Sequence, residues 1–318
     1  MRYVLRADAS PSIGTGHVMR SSAIAEELIN RGEEVVFVGQ ISNLTWVEER
    51  IEALGFSEIF KNPLEFVSDK ATEVLILDSY EISRDDAFIA PSNWLHIVTI
   101  VDEQTPNYLC ELRIHPGLDS SWVGDSIVPI LAGPRFIPLR ASLSQNIKEI
   151  SRSNGVIRIA VVAGGADPYE LVYEITKILE KSSQVFEVLL FSNSTLKEAL
   201  DQRFKCVAIG ASLDVLTQNV DLVLTTSSMT SLEFIARGLC VAVACAVDNQ
   251  KQNYDSLGKI GAAAQIGFRN ASNVWELNSE VIYSLIESPD LRAKLISNSR
   301  GLIDFQGASR IADAIQTL

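Results

Sequence analysis

Ile13-Gly14-Thr15-Gly16-His17-Val18-Met19-Arg20 decides the reading of this chain. A short apolar run, Tyr3-Val4-Leu5, precedes it and predicts a strand. After it, Val18, Met19, Ala23, Ile24, Leu28 and Ile29 recur at helical spacing and predict a helix over 18–30, closed at Arg31-Gly32. Val35-Val36-Phe37-Val38 is then an unbroken apolar strand. Strand, glycine turn, helix and strand make a β–α–β unit, and unbroken strands imply a sheet covered on both faces. The turn is not a dinucleotide fingerprint. Met19 stands where a third glycine belongs, and Val38-Gly39-Gln40 supplies no acid at the end of the second strand. What remains is a set of backbone N–H groups at a helix start, at Gly14 and Gly16, which favours an anion. His17 sits there too. The positive end of a helix favours the neutral imidazole, the form that a general base requires. A packed or capping histidine is the alternative.

The same alternation continues outward. Helix is expected over 46–54 and strands over 74–78, 95–102 and 112–114. Residues 142–154 are polar and read as a linker. Strands over 156–162, 185–191, 206–209, 222–225 and 241–244 follow, with helices over 169–181, 230–237 and 253–260, and 274–318 reads as wholly helical. The expected architecture is α/β, with two Rossmann-like domains facing a cleft. Their expected extents are 1–145 and 146–318, the last helix being free to pack back on the first domain.

Composition narrows the function. The chain has 318 residues, 47% hydrophobic, which suits two domains at roughly 100–200 residues each. A formal charge of −13 argues against nucleic acid and anionic membrane as partners. No apolar run reaches the ~18 residues of a membrane span. Met1 leads straight into a strand without a signal-like segment, so a cytoplasmic protein is expected. Cys110, Cys206, Cys240 and Cys245 lack metal-knuckle or redox spacing and read as free thiols.

Other candidate site residues lie where strands give way to helices. In Thr225-Thr226-Ser227-Ser228-Met229-Thr230-Ser231-Leu232-Glu233, hydroxyls and N–H groups suit a phosphate, and Glu233 could accept from two ribose hydroxyls; capping with a first-turn acid is the alternative. Gly164-Gly165-Ala166-Asp167-Pro168 is a second glycine turn, phosphate-facing or merely tight. Asp78-Ser79-Tyr80 and Asp102-Glu103 end strands; no Asp-x-Asp pair is present, and sugar hydroxyls or structural roles are preferred to a metal. Asp248-Asn249-Gln250 could grip a sugar or phosphate, or form an Asx-type turn. His96 reads as core or edge, and His115 as packed or cleft-lining.

Taken in order, Arg6-Ala-Asp-Ala-Ser10, residues 13–20, Gly133-Pro-Arg-Phe-Ile-Pro-Leu-Arg140, Gly164-Gly-Ala-Asp-Pro168, Thr230-Ser-Leu-Glu233 and Asp248-Asn-Gln250 resemble the UDP-sugar hydrolases of pseudaminic acid biosynthesis and the related spore-coat polysaccharide proteins. The peptidoglycan N-acetylglucosaminyltransferase is a more distant likeness. The resemblance implies the GT-B fold and a metal- and cofactor-free hydrolysis of a UDP-linked diacetamido-trideoxy sugar, with cleavage at the anomeric carbon. It makes His17 the base and puts Asn249 in the same active site. It implies UDP on Gly14, Gly16, Gly164, Gly165, Ser228, Met229, Thr230 and Glu233, and the sugar near Asp78, Tyr80, Asn249 and Gln250. A UDP-sugar is the expected small-molecule partner, and a monomer or weak homodimer the expected state. Two departures concern the sugar half. Ser79 stands where the family usually has His in Asp-His-Tyr, and His115-Pro116-Gly117 near where it often has Asp-Gln-Asn. A GT-B glycosyltransferase with a sugar acceptor is the alternative.

Overall fold

Parallel pairing of the short apolar runs builds two seven-stranded sheets among the described residues of the computed structural model. The structure describes residues 1–102, 105–119, 121, 127–144, 155–192, 200–210 and 217–318. Residues 145–154 of the linker expected over 142–154, and Glu103, lie outside them. The chain divides into two compact units, Met1–Ala141 with Asp304–Leu318, and Ser142–Ile303.

The first unit holds β1 (Arg2–Ala7), β2 (Glu34–Val38), β3 (Glu58–Phe60), β4 (Glu73–Asp78), β5 (His96–Ile100), β6 (Leu112–His115) and β7 (Ile130–Ala132). They lie in the order β3-β2-β1-β4-β5-β6-β7, all parallel. The strand order reverses between β1 and β4, whose register sets Ala7 opposite Asp78. Helix α1 (Gly16–Asn30) follows β1 and buries Val18, Ala23, Ile24, Ala25 and Leu28. Gly14, at φ +86°, makes the turn into it. A side chain is strained there. Gly32, at φ +84°, follows the helix end at Arg31.

The second unit repeats the plan with β8 (Ile157–Val162), β9 (Phe186–Phe191), β10 (Phe204–Val207), β11 (Leu222–Thr226), β12 (Val241–Cys245), β13 (Ala264–Arg269) and β14 (Trp275–Leu277). The order is β10-β9-β8-β11-β12-β13-β14, and only the β13–β14 pair is antiparallel. Its core joins Ile159, Val161, Leu190, Leu224, Ala242 and Ile266 to Leu171, Ile175 and Ile282 from the helices.

The wholly helical reading of 274–318 is corrected. Asn270 accepts from Ser272 and Val274 N–H, Asn273 adopts φ +64°, and the turn returns the chain as β14 before the helices Ser279–Glu287, Pro289–Ser299 and Gly307–Gln316. The last of these belongs to the first unit. There Ile311 and Ile315 are buried, and Arg31 donates to Asp313, Gln316 and Ser309. The Gly133–Arg140 motif seats it, because Arg310 donates to the Arg135 carbonyl and Gly307 passes Ile137 so closely that a Cβ would fall 2.0 Å from its oxygen.

Candidate functional site

The strand reversal in each unit gathers the residues that the sequence singles out. In the first unit, α1 starts where β1 ends, and Asp78 closes the adjacent β4. His17 and Asp78 are 61 positions apart, yet His17 Nδ1 lies 2.6 Å from Asp78 Oδ1. An ionised carboxylate can only accept, so Nδ1 carries a proton, and in the neutral imidazole the lone pair is then on Nε2. His17 has 5% of its surface exposed, so the imidazole is fixed rather than swinging in solvent. The Tyr80 ring meets it edge-on, with ring centres 4.3 Å apart.

Arg20, one helical turn after His17, grips the same carboxylate. Its Nε donates to Asp78 Oδ2 and its Nη2 to Oδ1, each at 2.6 Å, and its Nη2 also lies 3.2 Å from His17 Nδ1. Its Nη1 is 3.5 Å from Asp102, which accepts from the Tyr80 hydroxyl and from Thr105. Burial alone would push the Asp78 carboxyl up. The charges of Arg20 and then His17, with their hydrogen bonds, carry it below the ordinary carboxylate range.

The expectation that Asp78 holds a sugar is therefore corrected. Asp78 is fully buried and both its oxygens are engaged, so it holds His17 and Arg20 instead. The nearest anion to the imidazole is this carboxylate, a partner that reading His17 by its helix start alone misses. Tyr80 remains half-buried beside the ring. Sequence reasoning passed over Arg20 although its spacing, three residues after His17, places both on one helix face. His115 is buried, and a Cβ on Gly117 would come 2.5 Å from its Cε1, so it is a packed side chain. His96 opens β5, half-exposed.

In the second unit the equivalent reversal lies between β8 and β11. Gly164, at φ +103° after β8, would set a Cβ 3.9 Å from Thr230 Oγ1 at the start of helix Met229–Ala236. Gly164, Gly165, Ser228, Met229 and Thr230 are thus grouped around one helix start. No side chain caps it at Ser228. Ser227 Oγ donates to the Gln250 carbonyl, and Thr226 Oγ1 to Ser228 Oγ. This ties the Asp248–Gln250 turn to the same loop. Asn249 is half-buried in that turn, and Glu233 is half-buried one turn into the helix.

Two readings are sharpened here. Gln250 Oε1 accepts from Ala246 N–H, which fixes the amide and leaves its nitrogen and one oxygen lone pair to reach a ligand. Asp167 Oδ1 and Oδ2 accept from the N–H groups of Leu171 and Val172, which fills the start of helix Leu171–Glu180 with the protein's own anion. Burial pushes that carboxyl up despite the two amide donors. A phosphate at Gly164-Gly165 would have to use loop N–H groups, not that helix end.

Among the described residues, no group of three or more His, Cys, Asp or Glu side chains is placed to hold a metal ion, and no helix is long and apolar enough to cross a membrane.

No family model matches the chain. It is 23% identical over 278 residues to the UDP-2,4-diacetamido-2,4,6-trideoxy-beta-L-altropyranose hydrolase of Campylobacter jejuni, covering 82% of this chain and 97% of that protein. Among solved structures, MurG of Acinetobacter baumannii matches with a TM-score of 0.64 at 12% identity over 100% of both chains. The spinosyn rhamnosyltransferase SpnG, complexed with thymidine diphosphate, matches with a TM-score of 0.63 at 11% identity over 100% of this chain and 99% of that one. This chain thus has the GT-B fold of two Rossmann-like domains, and the resemblance carried by its motifs fits a family like that of the Campylobacter hydrolase.

Proposed function

We propose that the protein processes a nucleotide sugar for glycan synthesis, and that it hydrolyses a UDP-linked diacetamido-trideoxy sugar to free sugar and UDP. The observation that carries the proposal is the buried His17–Asp78 pair, whose Nδ1–H···Oδ1 bond supports Nε2 of the neutral imidazole as the base. The related Campylobacter protein, a UDP-sugar hydrolase by name, supports the choice of substrate class.

In this reading His17 Nε2 takes a proton from water. The water oxygen bonds to the anomeric carbon, and the electron pair of the broken C–O bond leaves on the β-phosphate oxygen of UDP. Asp78 stabilises the imidazolium that forms. The uncapped helix start at Ser228-Met229-Thr230 would stabilise the diphosphate, Glu233 the ribose, and Asn249 and Tyr80 the sugar. Gly14, Gly16, Gly164 and Gly165 would supply backbone N–H groups. No step calls for a metal or cofactor.

Incubation with UDP-diacetamido sugars in ¹⁸O-water tests this. The label must enter the free sugar and not UDP, and His17→Ala must lower turnover by about 10²–10⁴-fold while still binding UDP. Because the fold neighbours include glycosyltransferases, a second reading has a sugar acceptor in place of water. UDP release only when an acceptor is present would establish that one instead.

A further inference from the structure

Arg20 has no part in the chemistry proposed above, yet it is the most heavily engaged side chain of the first unit's site. Its guanidinium forks onto both oxygens of Asp78 at 2.6 Å and reaches Asp102 at 3.5 Å. A planar, permanently charged fork matches a carboxylate in a way that no other side chain does. With its edges spent on two carboxylates, Arg20 is not placed to bind a substrate phosphate.

The charge count gives it another role. Asp78 and Asp102 contribute two negative charges, Arg20 one positive, and Tyr80 none. With His17 neutral the cluster carries one net negative charge, and proton uptake on His17 brings it to zero. Take Arg20 away and the resting cluster would carry two negative charges in a buried place. Such a cluster sheds charge by protonating a carboxylate, and Asp78, fully buried at a strand end, is the first candidate. A protonated Asp78 no longer holds the imidazole's Nδ1 proton. Other groups facing the cluster do not replace Arg20. The Tyr108 hydroxyl, near Asp78, donates to the carbonyls of Ser79 and Ile82, and Arg6 is paired with Asp8 at 2.6 Å.

We propose that Arg20 is a positioning residue that keeps Asp78 ionised, so that Asp78 holds the Nδ1 proton of His17 and the neutral imidazole has its lone pair on Nε2. Its consequence for turnover rests on the base reading of His17, but its test does not. The test follows the ¹³C carboxyl signal of Asp78 through a pH titration of the full chain, with the signal identified by its loss in Asp78→Asn. In the unaltered protein it should stay at its ionised position from pH 9 down to about pH 4. In Arg20→Met the midpoint should rise by about one to three pH units. In Arg20→Lys, which keeps the charge but loses the fork, it should rise by less, and this variant carries the test if Arg20→Met does not fold. An unmoved Asp78 midpoint in a folded Arg20→Met, or in Arg20→Lys alone, overturns the proposal.

Turnover of UDP-sugar separates the two claims. If the protein hydrolyses nothing but the carboxyl midpoint moves, the base reading falls and the positioning role stands. If hydrolysis proceeds and the midpoint is fixed, only the positioning role falls. Where both hold, kcat should drop in Arg20→Met with KM little changed, and Arg20→Lys should recover part of it.

Discussion

Asp78→Asn should cost the first unit about 3–5 kcal/mol of stability, the range for stranding one member of a buried ion pair. The geometry leads to a similar figure. Asp78 accepts three close hydrogen bonds, one from His17 and two from Arg20. Asparagine offers one oxygen in place of two, and its NH₂ group must face an N–H of the fork. With the amide oxygen in the Oδ1 place, the Arg20 Nε bond is lost, at about 1.5–3 kcal/mol for a bond to a charged group, and the other two bonds lose their charged acceptor. Of the two carboxylates around Arg20, only Asp102, at 3.5 Å, then remains to balance its charge. Urea titration read by hydrogen exchange separates the two units. Protection in β1, α1 and β4 should fall at lower urea, while that of β8 and β11 stays as before. The double variant Arg20→Met/Asp78→Leu should be less destabilised than the sum of its single changes, because neither Arg20 nor Asp78 is left without the other. A loss below ~1 kcal/mol in Asp78→Asn would mean that the pair behaves as an exposed one and that the buried network is wrong.

Three further outcomes follow from the same structure. Because the folded Asp78 carboxyl is held below its ordinary value, its stabilising contribution is complete above the unfolded value near ~3.9 and is lost as pH falls through the folded one; the Tm of the first unit should drop steeply below about pH 4, and less steeply in Asp78→Asn. Ending the chain after Ile303 should uncover the partners of Ile311 and Ile315, at roughly 1.5–3 kcal/mol each, and limited proteolysis should then open the first unit while leaving Ser142–Ile303 resistant. A thiol reagent should reach exposed Cys206 first and Cys240 last, because Cys240 is buried and its thiol is pushed up to about 12; equal rates would refute that burial.

The sequence carried the sheet and the helix starts plainly, because parallel strands covered on both faces must be unbroken apolar runs. Val74-Leu75-Ile76-Leu77 and Val241-Ala242-Val243-Ala244 leave little else to read. His17 was legible for a similar reason, being the first side chain of a helix that follows a glycine turn. The part played by Asp78 was not. It depends on β4 lying beside β1, and no local pattern announces which strands become neighbours. Arg20 was hidden by the same gap, since a charged residue in a first helical turn reads as solvated until its partner is known. Trp275-Glu276-Leu277 was lost in the helical periodicity that follows it, and three alternating residues are too few to outweigh a helix. Gln250 reads as a ligand-binding amide, and that its oxygen also accepts from Ala246 N–H depends on the turn after β12, which no local pattern announces.

The helix Gly307–Gln316 is made after the whole second unit yet belongs to the first. On a ribosome the second unit emerges as one continuous stretch and can fold as soon as Ile303 clears. The first unit must wait, with the surface of α1 that receives Ile311 and Ile315 uncovered, until all of the second unit has been translated. At ~5–20 residues per second that wait is on the order of ten seconds or more, long enough for an apolar face to need shielding. Covering that face of α1, the helix that carries His17, therefore waits on a segment translated after the whole second unit.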